Sequence, residues 1–127
     1  MEKIITELVD SIVVNKNAKG YTYLKEAIEI AARDMEKTEN LSRDIYGPIA
    51  EKHNVTTNAV QQAIGRTIAH TWEHGNKEGL QRICGGMIDR PTNYDLILYM
   101  GDKVYLMSKE ANLPIGSLLD LLLNEYS

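Results

Sequence analysis

The chain has 127 residues, 43% hydrophobic and 25% charged, with a formal net charge of −4. This suits one domain with a real core, and it counts against a binder driven by a strongly basic surface, although the local field of a reading helix matters more than the sum. A single cysteine, Cys84, excludes an internal disulfide and suits a reducing cytoplasm; early acids at Glu2 and Glu7 argue against a secretory leader.

The longest apolar run, residues 118–123, is broken by Asp120 and too short to cross a membrane. There is no Phe, so seven Tyr, five Met and many Leu and Ile must fill the core. Residues 2–14 carry Ile4, Ile5, Leu8, Ile12 and Val13 at helical spacing, which predicts a first helix ending near residues 15–17. Lys19-Gly20 reads as a break. Residues 21–37 predict a long helix with Leu24, Ala27, Ile28, Ala31 and Ala32 along one side. Residues 38–40 read as a loop, and residues 41–46 as a short helical segment before Gly47-Pro48.

Residues 48–74 carry the pattern that organises the chain. A short helix runs from Pro48 to about His53, with Ala50 small enough for a second helix to cross closely. Asn54 falls where a tight turn needs a left-handed backbone. Thr57 can cap the next helix. Val60, Ala63, Ile64, Thr67, Ile68, Thr71 and Trp72 then form one buried stripe. Helix, turn, helix with a small residue at the crossing is the helix-turn-helix pattern, whose second helix lies in the DNA major groove. A plain helical hairpin inside a bundle carries the same spacing and stays open at this point.

The outward face holds Asn58, Gln61, Gln62, Gly65, Arg66 and Ala69. Gln61 and Gln62 can make paired hydrogen bonds to adenine, and Arg66 can reach guanine or phosphate. Lys52 is the other cation of the motif. The candidate DNA-binding residues are therefore Lys52, Thr57, Asn58, Ala59, Gln61, Gln62, Gly65 and Arg66. The alternative for all of them is a solvated helix face.

Gly75 ends the reading helix, and residues 77–84 predict a short helix. Residues 85–91 form a loop. Thr92 with Asp95 three residues on is a capping pattern that opens a helix to about Lys109. Asn112 and Pro114 start a last helix, with Ile115, Leu118, Leu119, Leu122 and Tyr126 on one stripe. That stripe either covers its own core or makes a dimer seam. His70-Thr71-Trp72-Glu73-His74 fits an inverted zinc-protease spacing, but Gly75 ends the helix and no third ligand is marked, so a surface histidine pair is expected. Gly85-Gly86 lacks the Lys and Ser or Thr of a phosphate loop, and Cys84 lacks an activating neighbour. No β pattern, repeat or linker interrupts the chain, and no nucleophile-base or carboxylate pair suggests an enzyme.

Several clusters carry a family resemblance. They are Lys19-Gly20-Tyr21-x-Tyr23-Leu24-x-Glu26-Ala27-Ile28, Ile49-Ala50-x-Lys52-x-Asn54-x-Thr56 and Val60-x-x-Ala63-Ile64, then Ile68, Trp72-x-x-Gly75-Asn76 and Pro91-Thr92-Asn93. Together they resemble the C-terminal DNA-binding domain of the sporulation master regulator, stage zero sporulation protein A, of endospore-forming bacteria. The likeness runs from about Lys19 to Lys103. It implies an all-helical effector domain that binds promoter boxes and contacts RNA polymerase. The family's phospho-receiver domain would not fit before Lys19, so a stand-alone effector is expected. The family's outward arginines and glutamate are replaced by Ala59, Gln61, Gln62 and Gly65, so a different DNA box is expected.

The expectation is one all-α domain over residues 1–127, with a helix-turn-helix at about 48–74 and a C-terminal helical extension at about 104–127. Its expected role is a cytoplasmic, sequence-specific transcription regulator without metal or cofactor. Expected partners are double-stranded DNA, RNA polymerase and a second copy through Leu118, Leu119 and Leu122, with no membrane. The competing role is a protein-interaction module that has lost DNA reading and titrates a related regulator.

Overall fold

The computed structural model describes residues 1–110. Among these residues each long stretch of helical spacing becomes a helix, and none forms a strand. The first helix, α1 (Glu2–Asp10), buries Ile5 and Val9. It ends earlier than expected. Ser11 Oγ donates to the Leu8 carbonyl at 2.6 Å, a local bond that competes with helix continuation, and Ile12 and Val13 are buried from a turn instead.

The expected break at Lys19-Gly20 is corrected. Helix α2 (Lys19–Arg33) starts there, and Gly20 is buried inside it. A Cβ at Gly20 would collide with the Ala63 carbonyl and Thr67 Oγ1, so this glycine marks a helix crossing. The far end of α2 is crossed in the same way, since a Cβ at Gly101 would come within 2.8 Å of Ala31 Cβ.

Helix α2 also ends before the expected residue 37. Asp34 turns extended and its side chain accepts from Glu36 N at 3.2 Å, which opens a 3-10 turn over Met35–Asn40, covering the expected helix end at residues 35–37 and the expected loop at residues 38–40. A π turn over Ser42–Tyr46 leads directly into α3 (Gly47–His53). Helix α4 (Thr57–His74) follows, then α5 (Lys77–Ile83), capped by Asn76, and α6 (Asn93–Glu110). The capping pair before α6 closes in both directions: Asp95 N–H donates to Thr92 Oγ1 at 3.1 Å and Thr92 N–H to Asp95 Oδ2 at 3.0 Å.

The core sits around α2. Leu24, Ala27, Ile28 and Ala31 meet Val60, Ile64 and Ile68 of α4 on one side, and Leu96, Ile97, Met100 and Val104 of α6 on the other. Each fully buried Leu, Ile or Val contributes about 1.5–3 kcal/mol of transfer free energy. Among the described residues, no helix is long and apolar enough to cross a membrane. Residues 104–110, expected to begin the extension, belong to α6. The expected last helix and dimer seam, with Leu118, Leu119 and Leu122, lie outside the described residues.

Candidate nucleic-acid interface

The turn between α3 and α4 follows from its residues. Pro48 stands in the first turn of α3, and Ala50 is buried. Asn54 adopts φ 53° and ψ 48°, the only non-glycine residue among those described with positive φ. Val55 N–H donates back to the Ala50 carbonyl at 3.0 Å, the bond that closes a helix end of this type. The cap of α4 is Thr56 rather than Thr57: Thr56 Oγ1 accepts from Ala59 N at 3.0 Å. Thr57 occupies the first helical position, exposed.

Inside α4, Val60, Ile64 and Ile68 are fully or nearly fully buried. Thr67 and Thr71 also point inward, and their hydroxyls donate to the Ala63 and Thr67 carbonyls at 3.1 and 2.8 Å. Trp72 is half-buried at the end of the stripe, with Lys77 Nζ 4.4 Å from its ring centre. Gly75 then meets the α1–α2 connection, where Asn76 N–H donates to the Ile12 carbonyl at 3.2 Å. Helix α4 is thus held at both ends.

Its outward crest carries Asn58, Gln62 and Arg66, all exposed, with Gln61 exposed on one flank. Gly65 and Ala59 are half-buried beside them. Two clefts border this crest. One, of about 570 Å³, runs between Gln61, Gln62 and Gly65 on one wall and Arg90 and Tyr94 on the other. The second, of about 380 Å³, lies between Ala63, Arg66, Thr67 and His70 and the segment carrying Val13, Ala18 and Lys19. Neither cleft is lined by an Asp or Glu. Among the described residues, Lys19, Arg66 and Arg90 carry no ion pair. An unpaired cation therefore stands on the crest and on each bank.

Lys52 is placed elsewhere. Its Nζ is 3.2 Å from Glu26 Oε1, in a groove shared with Glu2, Ile5 and Thr22. The same carboxylate meets His53 Nε2 at 2.9 Å. The other seven candidate residues share the crest, its flanks or the first turn of α4.

Lys19, Arg90, Asn93 and Tyr94 were not singled out as site residues from sequence. Asn93 Nδ2 donates to the Gln61 carbonyl at 3.0 Å and to Tyr46 Oη at 3.2 Å, which locks the start of α6 to α4. Burial pushes the Tyr46 hydroxyl above the usual phenol range, although the Asn93 hydrogen bond opposes this. Arg90 is the one cation of the loop at residues 85–91, a signal open to sequence reading.

His70 and His74 are exposed, with ring centres 4.9 Å apart. Among the described residues no three metal-ligating side chains gather. Cys84 is buried, and burial, followed by the nearby Asp95 charge, raises its thiol to about 11, far from a nucleophile's range.

The family model for the sporulation initiation factor Spo0A C terminal matches residues 5–104. The matched span runs from within α1 to within α6 and includes every residue that lines the two clefts.

Proposed function

The chain belongs to the Spo0A C-terminal family, and from that membership and the geometry of α4 we propose that it is a sequence-specific, DNA-binding transcription regulator. The observation that carries this reading is the crest of α4. It offers amide side chains with unpaired cations on it and on both banks, and no acid in either bordering cleft. A major groove about 12 Å wide admits a helix presented in this way.

In this reading Gln61 and Gln62 bond to adenine edges, and Arg66 bonds to guanine or to phosphate. Lys19 and Arg90 meet phosphates on opposite sides of the groove, where they fix register without reading sequence. Thr57, Asn58 and Ala59 lie at the end of α4 that such helices turn toward base edges. The net charge of −4 is offset locally, because no acid side chain lines either cleft. RNA polymerase as a second partner rests on family membership alone. A second copy of the chain is proposed because two reading helices spaced one DNA turn apart add their contacts.

Selection from a random duplex library at low salt tests the reading. An enriched motif is expected, and Gln62→Ala should relax preference at one base pair at a cost of about 1–3 kcal/mol. Recovery of no motif would overturn the proposal in favour of a protein-interaction module.

A further inference from the structure

We propose that the cleft between the α1–α2 connection and α4 binds a small organic anion with an apolar body, of the short-chain carboxylate class. Gly20 lets α2 and α4 cross closely at the base of the cleft, since a Cβ there would collide with the Ala63 carbonyl and Thr67 Oγ1. The cleft floor is the buried Val13 and Gly20 with the half-buried Ala18 and Ala63. Thr67, also on this floor, spends its hydroxyl proton on the Ala63 carbonyl. The inner surface is therefore apolar. At the rim stand Lys19, Arg66 and His70, with Asn15 and no acid.

A cavity of about 380 Å³ lies within the usual size range of small-ligand pockets. Its walls are pre-formed. Tyr21 Oη donates to Asp10 Oδ1 at 2.6 Å, which ties the start of α2 to the end of α1, and Asn76 Nδ2 donates to the Ser11 carbonyl at 3.2 Å, which ties the start of the connection to the segment after α4. A carboxylate at the rim makes charge-assisted hydrogen bonds with Lys19 and Arg66, while its hydrocarbon covers the floor. Inorganic phosphate can use only the rim, and an alcohol only the floor. The sugar-phosphate backbone of DNA has no apolar body to reach that floor.

This site also bears on the proposed DNA reading, on which the next step rests. Arg66 belongs both to the cleft rim and to the crest of α4. Anion and duplex therefore compete for it, and each lowers the other's affinity by the same factor.

The test is a titration of the isotope-labelled full chain, without DNA, followed by amide shifts. Hexanoate should give saturable shifts at Gly20, Ala63 and Thr67, binding at least tenfold more tightly than hexanol or inorganic phosphate. Lys19→Gln and Arg66→Gln, both at exposed positions, should bring hexanoate down to the level of hexanol. Equal binding of hexanoate and hexanol would overturn the proposal, as would equal binding of phosphate or no saturable shift. The DNA arm is separate. Saturating hexanoate should weaken duplex binding severalfold, and unchanged duplex affinity with the cleft filled would overturn the competition. Because the titration contains no DNA, its result stands whether or not the DNA reading does.

Discussion

Lys52 and Arg66 are both cations of the helix-turn-helix, and their surroundings separate them. Lys52 shares Glu26 with His53, whereas Arg66 faces an acid-free cleft. An exposed pair such as Lys52–Glu26 is worth at most about 1 kcal/mol, yet it turns Lys52 toward α2 rather than the crest. Lys19→Ala and Arg90→Ala should each weaken binding to every duplex alike and lower the slope of log affinity against log salt by about 1. Lys52→Ala should change that slope less. A larger slope change for Lys52 than for either bank residue would show that the duplex lies across α3 instead. Tyr21 makes a pH prediction. Burial, with Asp10 adding to it, raises its hydroxyl to about 12 from an ordinary value of 10.0. The folded state holds this proton more tightly than the unfolded chain. Its contribution to stability is therefore complete below about pH 10 and lost as pH climbs to about 12. Tyr21→Phe should flatten the alkaline part of the stability profile between those values. A profile unchanged by the substitution would mean that neither burial nor Asp10 makes the folded state hold this proton more tightly.

At the scale of elements, the turn of the motif was legible because its residues act locally. Pro48 starts a helix, Asn54 accepts a left-handed backbone, and Gly75 stops α4, whatever the rest of the chain does. Thr56 and Thr57 can both cap, and only the reach of one hydroxyl to Ala59 N chooses between them. Gly20 is illegible for a different reason. A glycine after a polar stretch means a break or a crossing, and its partners, Ala63 and Thr67, are remote in sequence. Arg90 stands out as a lone loop cation, but that it and Lys19 line clefts beside α4 was hidden likewise, because both come from segments distant in sequence. Gly65 remains instructive. A Cβ there would meet only Asn93 Oδ1, at 3.5 Å, an ordinary contact. Internal packing does not demand this glycine, which costs up to about 1 kcal/mol in a helix interior. Gly65→Ala should therefore raise the melting temperature. If a groove wall approaches α4 closely at Gly65, the same substitution should weaken duplex binding. A variant that is more stable and binds equally well would remove Gly65 from the interface.

At the scale of the whole molecule, α6 has one more apolar face than the described core uses. Leu96, Ile97, Met100 and Val104 are buried against α2, while Tyr94, Tyr99, Tyr105 and Leu106 are 46%, 41%, 38% and 49% exposed. Asp102 and Lys109 are exposed charges of α6, and Lys109 Nζ lies 5.0 Å from the Tyr105 ring centre. A helix apolar over most of its circumference is normally covered on both sides. Tyr94 borders the cleft beside α4, but Tyr105 and Leu106 lie more than two turns further along α6. A partner seated at that far end would leave the crest of α4 open to DNA. The sequence then continues with Leu118, Leu119 and Leu122, so apolar side chains recur on both sides of residue 110. Paired reading helices require two copies in fixed register, and this end of α6 supplies the surface in the proposal of a homodimer. The full chain should sediment as a dimer. Removing everything after Asn112 takes away Leu118, Leu119 and Leu122 but keeps Tyr105 and Leu106, so it should shift the folded chain toward monomer and weaken binding to paired half-sites. Leu106→Asp, at an exposed position, should weaken the dimer while the melting curve of the monomer stays in place. If the full and shortened chains both sediment as monomers, the outer face of α6 does not join two copies, and duplex binding must come from a single reading helix.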